Sequence, residues 1–141
     1  MRILIMGLPG SGKTTLAEGL CLRVLLSGVR SLWINADVIR RRALDFDFSI
    51  EGRLRQAHRI DGVASRSKCK IIIMDLVAPL VAQREILKPD FTVWMDTKAS
   101  SKYPDTDAVF AKPKDADIVI REHNEANVSM VFSRIGDMIL A

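Results

Sequence analysis

The stretch Gly7-Leu8-Pro9-Gly10-Ser11-Gly12-Lys13-Thr14 constrains this chain more than any other. It fits G-x-x-x-x-G-K-[ST] without a mismatch. Before it, Ile3-Leu4-Ile5-Met6 is continuously apolar, as a strand buried on both faces must be. Behind it, Leu16, Leu20 and Val24 recur on one face of a helix over Lys13–Ser27, with Gly28 just past the end. A strand, a glycine-rich turn and a helix in this order make an anion cradle. Glycines let backbone N–H groups turn inward, and the helix dipole adds positive potential. Lys13 is spaced to reach the terminal phosphates of a nucleotide, and Thr14 to offer a hydroxyl to Mg²⁺. The expected nucleotide-binding residues are Gly7, Leu8, Pro9, Gly10, Ser11, Gly12, Lys13, Thr14 and Thr15.

The rest of the chain repeats the alternation. Ser31–Asn35 reads as a second strand and Val38–Leu44 as a helix, with Asp37 placed to cap it. Ser49 is placed to cap a longer helix from Ile50 to about Ser67. Lys70–Asp75 is the clearest strand, apolar until it ends in a carboxylate. A short helix over Pro79–Leu87 is stopped by Lys88-Pro89, and Phe91–Asp96 is a fourth strand. Lys98–Lys114 is polar, holds Pro104 and Pro113, and reads as loop or lid. Asp117–Ile120 is a fifth strand and Ala126–Leu140 a closing helix. With the cradle, this order predicts an α/β chain: a single three-layer P-loop NTPase domain over residues 1–141, its five-stranded parallel sheet flanked by helices. Ligands then sit at the carboxyl ends of the strands.

Composition narrows the partner. The net charge is +4, and much of the basic excess lies between Arg40 and Arg66. That suits a small anionic, nucleotide-like substrate. It would also suit nucleic acid, but RGG tracts, zinc knuckles and interleaved basic and aromatic residues are missing, so nucleic acid is not the expected partner. No apolar stretch approaches the length of a membrane span, and the apolar start is interrupted too early for a signal peptide. Cys21 and Cys69 read as small buried hydrophobes in a reducing compartment, so a cytoplasmic location is expected. No Cys/His cluster has metal-ligand spacing.

Two carboxylates are candidates for chemistry. Asp75 ends its strand where it could hold the magnesium water shell; a helix cap or turn is its structural alternative. Asp37, at another strand end, could serve as general base toward an acceptor hydroxyl, bind magnesium, or cap its helix. Of the consecutive Arg40, Arg41 and Arg42, at most one or two can face a pocket, because helical neighbours point about 100° apart. Arg53, Gln56 and Arg59 follow a slowly drifting helical stripe, where guanidinium groups could fork onto phosphate or sulfate oxygens or face solvent. Phe46 and Phe48 could sandwich a base or tuck into the core. His58 and Asp61 are expected on the surface. "DTKASS" has the Thr97-Lys98 pair of the N/T-K-x-D guanine-reading motif but no aspartate two residues later, so ATP is the expected nucleotide.

These residues, in this order, resemble the adenylylsulfate kinase family. "GLPGSGKTTLAEGL" looks like the family's start, and "NADVIR" resembles its D-G-D-N-V-R. "DFDFSIEGR" resembles D-L-G-F-S-x-x-D-R, and "QAHRIDGVA" the N-I-R-R-I-x-E-V-A that follows. "IIIMDLVAPLVAQREIL" resembles V-I-x-A-x-I-S-P-x-x-x-x-R, and "FTVWMDT" resembles F-x-x-V-x-V-D-T. The resemblance covers residues 1–97. It implies Lys13 and Asp37 as catalytic residues. Asp37, Arg40, Phe48, Arg53, Arg59 and Pro79 would bind the acceptor, with Phe48 stacked on its adenine. Thr14, Asp75 and Asp37 form the candidate magnesium set. The implied activity is transfer of the γ-phosphoryl of Mg-ATP to a hydroxyl, foremost the 3′-OH of adenylylsulfate. Two other readings keep the fold: a kinase of another nucleoside, small metabolite or nucleic-acid 5′-hydroxyl, and an ATP-binding module without turnover. A homodimer is common in the family, but no interface stripe stands out here.

The departures from the motif are specific. Asn35 replaces the first Asp of D-G-D, and Asp75 stands where the family usually has a small residue. Asp47 replaces the Gly before Phe48, and Gly52 the Asp before Arg53. Ala78 replaces the Ser of I-S-P. The segment corresponding to the family's basic lid has no arginine, leaving Lys102, Lys112 or Lys114 as its cation.

Overall fold

The computed structural model describes residues 1–140. Five strands, β1 (Arg2–Met6), β2 (Ser31–Asn35), β3 (Ile71–Asp75), β4 (Phe91–Met95) and β5 (Ile118–Ile120), form one sheet. Every described pairing is parallel, and the strand order is β2-β3-β1-β4-β5. The helices are α1 (Lys13–Leu26), α2 (Ala36–Ala43), α3 (Ile50–Arg66), α4 (Val81–Leu87), α5 (Pro104–Val109) and α6 (Ala126–Leu140). The α/β three-layer arrangement expected from the strand–helix alternation is the one observed.

The continuous apolar runs are explained by burial on both faces. Strand side chains alternate. Ile3, Ile5, Ile71, Ile73, Phe91 and Val93 pack on one side with Leu16, Leu20 and Val24 of α1 and Val131 and Ile135 of α6. Leu4, Met6, Ile72, Met74 and Trp94 pack on the other with Ala57, Ile60 and Ala64 of α3 and Leu87 of α4. Ile3, Leu4, Ile5 and Met6 are each 0% exposed, and each such side chain contributes about 1.5–3 kcal/mol of transfer free energy.

Topology then places the site. From β1 the chain runs one way to β3 and β2, and later the other way to β4 and β5. The crevice at the carboxyl end of β1 lies at that reversal, and the Gly7–Thr14 loop begins there.

Several expectations need correction. The helix after β2 starts at Ala36, and its cap is Asn35, not Asp37: Asn35 Oδ1 accepts from the backbone N–H of Asp37 at 2.9 Å and of Val38 at 3.2 Å. Asp37 is thereby left in the first turn with an exposed side chain. Ser49 does cap α3, its Oγ accepting from Gly52 N at 3.1 Å. The segment 98–114 is not all loop, because Pro104, favoured in a first turn, opens α5. Asp61 is half-buried and paired with Arg2 at 2.7 Å, which ties α3 to β1. Cys21 and Cys69 are both free and half-buried rather than core residues.

Candidate active site

The cradle is built by backbone. Gly10 at φ 78° and Gly12 at φ 99° take left-handed conformations that a Cβ would oppose, and Gly12 stands at the N-terminus of α1. Lys13 is buried, and its Nζ donates to Leu8 O across the loop at 3.0 Å. Beside it, Asp75 Oδ2 accepts from Thr14 Oγ1 at 3.0 Å, Asn35 Nδ2 at 3.1 Å and Trp33 Nε1 at 3.4 Å. Asn35 and Asp75 are direct register partners at the ends of β2 and β3. One asparagine therefore caps α2 with its oxygen and holds Asp75 with its nitrogen.

Burial sets the charge states of this pair at odds with folding. It pushes the Asp75 carboxyl above its ordinary 3.8, against the pull of the Thr14 hydrogen bond and the Lys13 charge. It pushes the Lys13 ammonium below 10.5, against the carboxylates of Asp75 and Asp37. A raised native pKa means that the folded state holds its proton longer than the unfolded one. Asp75 therefore subtracts stability as pH rises from 3.8 through its folded value. The stability of the wild type relative to Asp75→Asn should therefore fall as pH rises from 3.8 toward neutral; thermal melts of the two nucleotide-free proteins across that range would check it.

A cavity of about 460 Å³ opens in front of the cradle. Pro9, Gly10, Lys13 and Thr14 line one side, with Asn35, Asp37, Arg40, Phe48, Arg53, Gln56, Asp75 and Pro79 around the rest. Of the three consecutive arginines, only Arg40 turns inward and is buried; Arg41 and Arg42 are exposed. Arg40 lies over the Phe48 ring at 4.2 Å and Arg53 at 5.5 Å. Both guanidiniums are held from behind. Arg40 Nη1 donates to the carbonyls of Asp45 (3.2 Å) and Asp47 (3.1 Å), and Arg53 Nε to that of Phe48 (2.9 Å). Phe48 is exposed on the cavity wall, whereas Phe46 is exposed outside it.

Arg59 does not join them. It lies outside the cavity lining, and its guanidinium is committed to Asp45 and Gln56. The stripe that starts at Arg53 drifts off the cavity within two turns. Arg55 completes the cluster on Asp45 at 2.8 Å, and together the two arginines hold the Asp45 carboxyl well below the usual carboxylate range.

The sequence reading missed several wall residues. Thr106 of α5 is buried and accepts from Arg53 Nη2 at 2.9 Å, so the segment read as a lid packs on α3. Tyr103 and Asp105 line the same wall. Gln83 of α4 is buried and donates to the Arg53 carbonyl at 3.2 Å. Arg84 fastens the loop after β3, donating to Ala78 O at 3.0 Å and also to Ala111 O. A polar residue directly before a helix was the available signal for Asn35. The α5 contacts carried none, being made by tertiary packing alone.

A parallel sheet in this order, a lysine-bearing cradle after its first strand and a walled cavity in front of it define a P-loop kinase. The adenylylsulphate kinase family profile matches residues 1–119. The chain belongs to that family, and it is a kinase that uses ATP. Solved structures share the fold. The Mycobacterium tuberculosis APS kinase CysC, in complex with AMPPNP and APS, aligns at TM-score 0.80 and 19% identity, covering 99% of this chain and 97% of that one. APE1195 aligns at TM-score 0.81 and 25% identity over 99% and 96%. The Acinetobacter baumannii shikimate kinase, in complex with shikimate, aligns at TM-score 0.59 and 18% identity over 99% and 92%. No curated protein matches the chain. Among the described residues, no helix is long and apolar enough to cross a membrane.

Proposed function

We propose that this kinase moves the γ-phosphoryl of Mg-ATP to a hydroxyl of a small anionic acceptor, foremost the 3′-OH of adenylylsulfate. The observation that carries the acceptor assignment is Phe48. Its ring is exposed on the cavity wall between Arg40 and Arg53, so an aromatic base and an adjoining anion can be bound together. Asp37, exposed in the same cavity, is free to orient or deprotonate the acceptor hydroxyl. Lys13 and the loop N–H groups hold the donor phosphates. Catalysis then rests on positioning and electrostatic stabilisation.

The residues present fit Mg²⁺. Thr14 Oγ1 and Asp75 Oδ2 meet at 3.0 Å beside the cradle, and Asp37 lines the same cavity. Among the described residues no group of three or more His, Cys, Asp or Glu gathers for a metal. That suits an ion that keeps phosphate and water as most of its ligands. Bound there, it would neutralise charge on the donor phosphates.

The test is ADP release from Mg-ATP with and without adenylylsulfate. Release should require the acceptor and be lost in Asp37→Ala. Release equal to the acceptor-free blank would overturn the assignment. One observation favours a second acceptor class. Lys13, Arg40 and Arg53 share the cavity with Asp37, Asp75 and Asp105, so cations and carboxylates balance. A singly charged hydroxy acid, such as the shikimate bound by the kinase of like fold, would meet less repulsion from Asp105 than a phosphosulfate. Transfer to such an acid, with none to adenylylsulfate, would select this reading.

A further inference from the structure

Lys98 follows β4 by three residues, and β4 runs beside β1 with Trp94 paired to Met6. The carboxyl end of β4 therefore delivers its following residues to the flank of the phosphate loop. Thr97 fastens them there: its Oγ1 donates to Ser11 O at 2.7 Å. The Lys98 side chain then lies along Gly10. A methyl group built on Gly10 would sit 3.3 Å from Lys98 Nζ, 3.5 Å from its Cε and 4.0 Å from its Cδ. Gly10 is also on the cavity rim. So the ammonium lies against the outer rim of the cradle, while Lys13 occupies its interior.

The lysines of the segment that follows are placed differently. Lys102 lies over the Tyr103 ring at 5.5 Å, whereas Lys98, itself outside the cavity lining, reaches the phosphate loop at Gly10. Among the described residues Lys98 makes no ion pair, although it is exposed and long enough to find one. An unpaired cation pinned by its neighbour against an anion-binding loop is poised for the anion that fills the loop.

We propose that Lys98 is a second cradle lysine, which contacts the phosphate chain of the donor nucleotide from the Gly10 side. It brings to the phosphate loop one cation from the 98–114 segment, which has lysines but no arginine. The Thr97-Lys98 pair, read from sequence as an incomplete base-reading motif, thereby acts on the phosphates. The inference rests on a nucleotide occupying the cradle, and the experiment separates the two.

The full chain is titrated with the non-hydrolysable analogue AMPPNP and Mg²⁺, comparing wild type, Lys98→Met, Lys98→Arg and Lys13→Ala. Lys98→Met should weaken binding about 10-fold, the scale of one charge-assisted contact. Lys98→Arg should stay within about threefold of wild type, because the charge remains. The gap between wild type and Lys98→Met should narrow as salt rises from about 0.05 to about 0.5 M, since an exposed charge is screened. Equal affinity of Lys98→Met and wild type, with Lys13→Ala still weakened, would overturn the role of Lys98 and leave the nucleotide site intact. Equal losses in Lys98→Met and Lys98→Arg that ignore salt would also overturn it, by assigning Lys98 to packing alone. No nucleotide binding by wild type would overturn both the site and the inference.

Discussion

Lys13→Ala is expected to cut phosphoryl transfer about 100- to 1,000-fold, the scale seen when one preorganised donor to developing charge is removed. The structure argues for the upper end. Lys13 is 9% exposed, so its charge acts where water screens it little. Its ammonium is held by Leu8 O at 3.0 Å, already inside the loop. The substitution also removes the cation facing Asp75, leaving that carboxylate buried without its nearest charge partner. Nucleotide affinity should therefore fall together with kcat, and the Asp75 carboxyl should be pushed higher still. Steady-state kinetics with a parallel nucleotide titration would measure both. A Lys13→Ala enzyme within tenfold of wild type would remove the lysine from the mechanism.

Gly52→Ala is expected to cost about 1–3 kcal/mol of stability from overpacking, or roughly 3–10 °C in melting temperature. Gly52 sits in the first turn of α3, where alanine would ordinarily be preferred. Here its added Cβ would lie 2.5 Å from Asp47 Cγ and 2.8 Å from the Asp47 carbonyl carbon, with the carbonyl oxygen nearer still. Backbone must move, and that carbonyl holds Arg40 at 3.1 Å. The melt should therefore drop together with acceptor affinity. In an Asp47→Gly background the same substitution should cost less, because the side-chain part of the clash is gone and the connection can give. A double-mutant cycle measures that coupling.

Most of the fold was legible in the chain because it rests on short-range patterns. Apolar runs buried on two faces, a 3.6-residue stripe, glycines past a helix end and the cradle spacing each depend on neighbours within a few turns. The phosphate loop was legible for the same reason: Gly7 to Thr14 form one contiguous turn between strand and helix. The rest of the cavity wall was legible only in part. Arg40 could be separated from Arg41 and Arg42 by helical angle only as one of the three, and Arg59 was placed with Arg53 because the stripe drifts too slowly to betray its partner Asp45. Thr106 carried no signal, and Lys98 only that of an incomplete base-reading motif, since their contacts join segments that nothing in their spacing relates.

The departures from the family motif show the division most clearly. By sequence alone Asn35, Asp75, Asp47 and Gly52 are four separate changes among them. In the structure they are two pairs. Asn35 and Asp75 are register partners 3.1 Å apart across β2 and β3, so the carboxylate that the motif puts on one strand end stands on the other, with an amide facing it. Asp47 and Gly52 are packed so closely that the Asp47 backbone and carboxyl occupy the space of a side chain at Gly52. The sequence by itself determined the nucleotide cradle and the parallel sheet, because local geometry is enough to make them. Which changes compensate one another, and which cations face the cavity, was decided by tertiary structure, because two side chains exclude or attract each other only once the fold has brought them within a few ångströms.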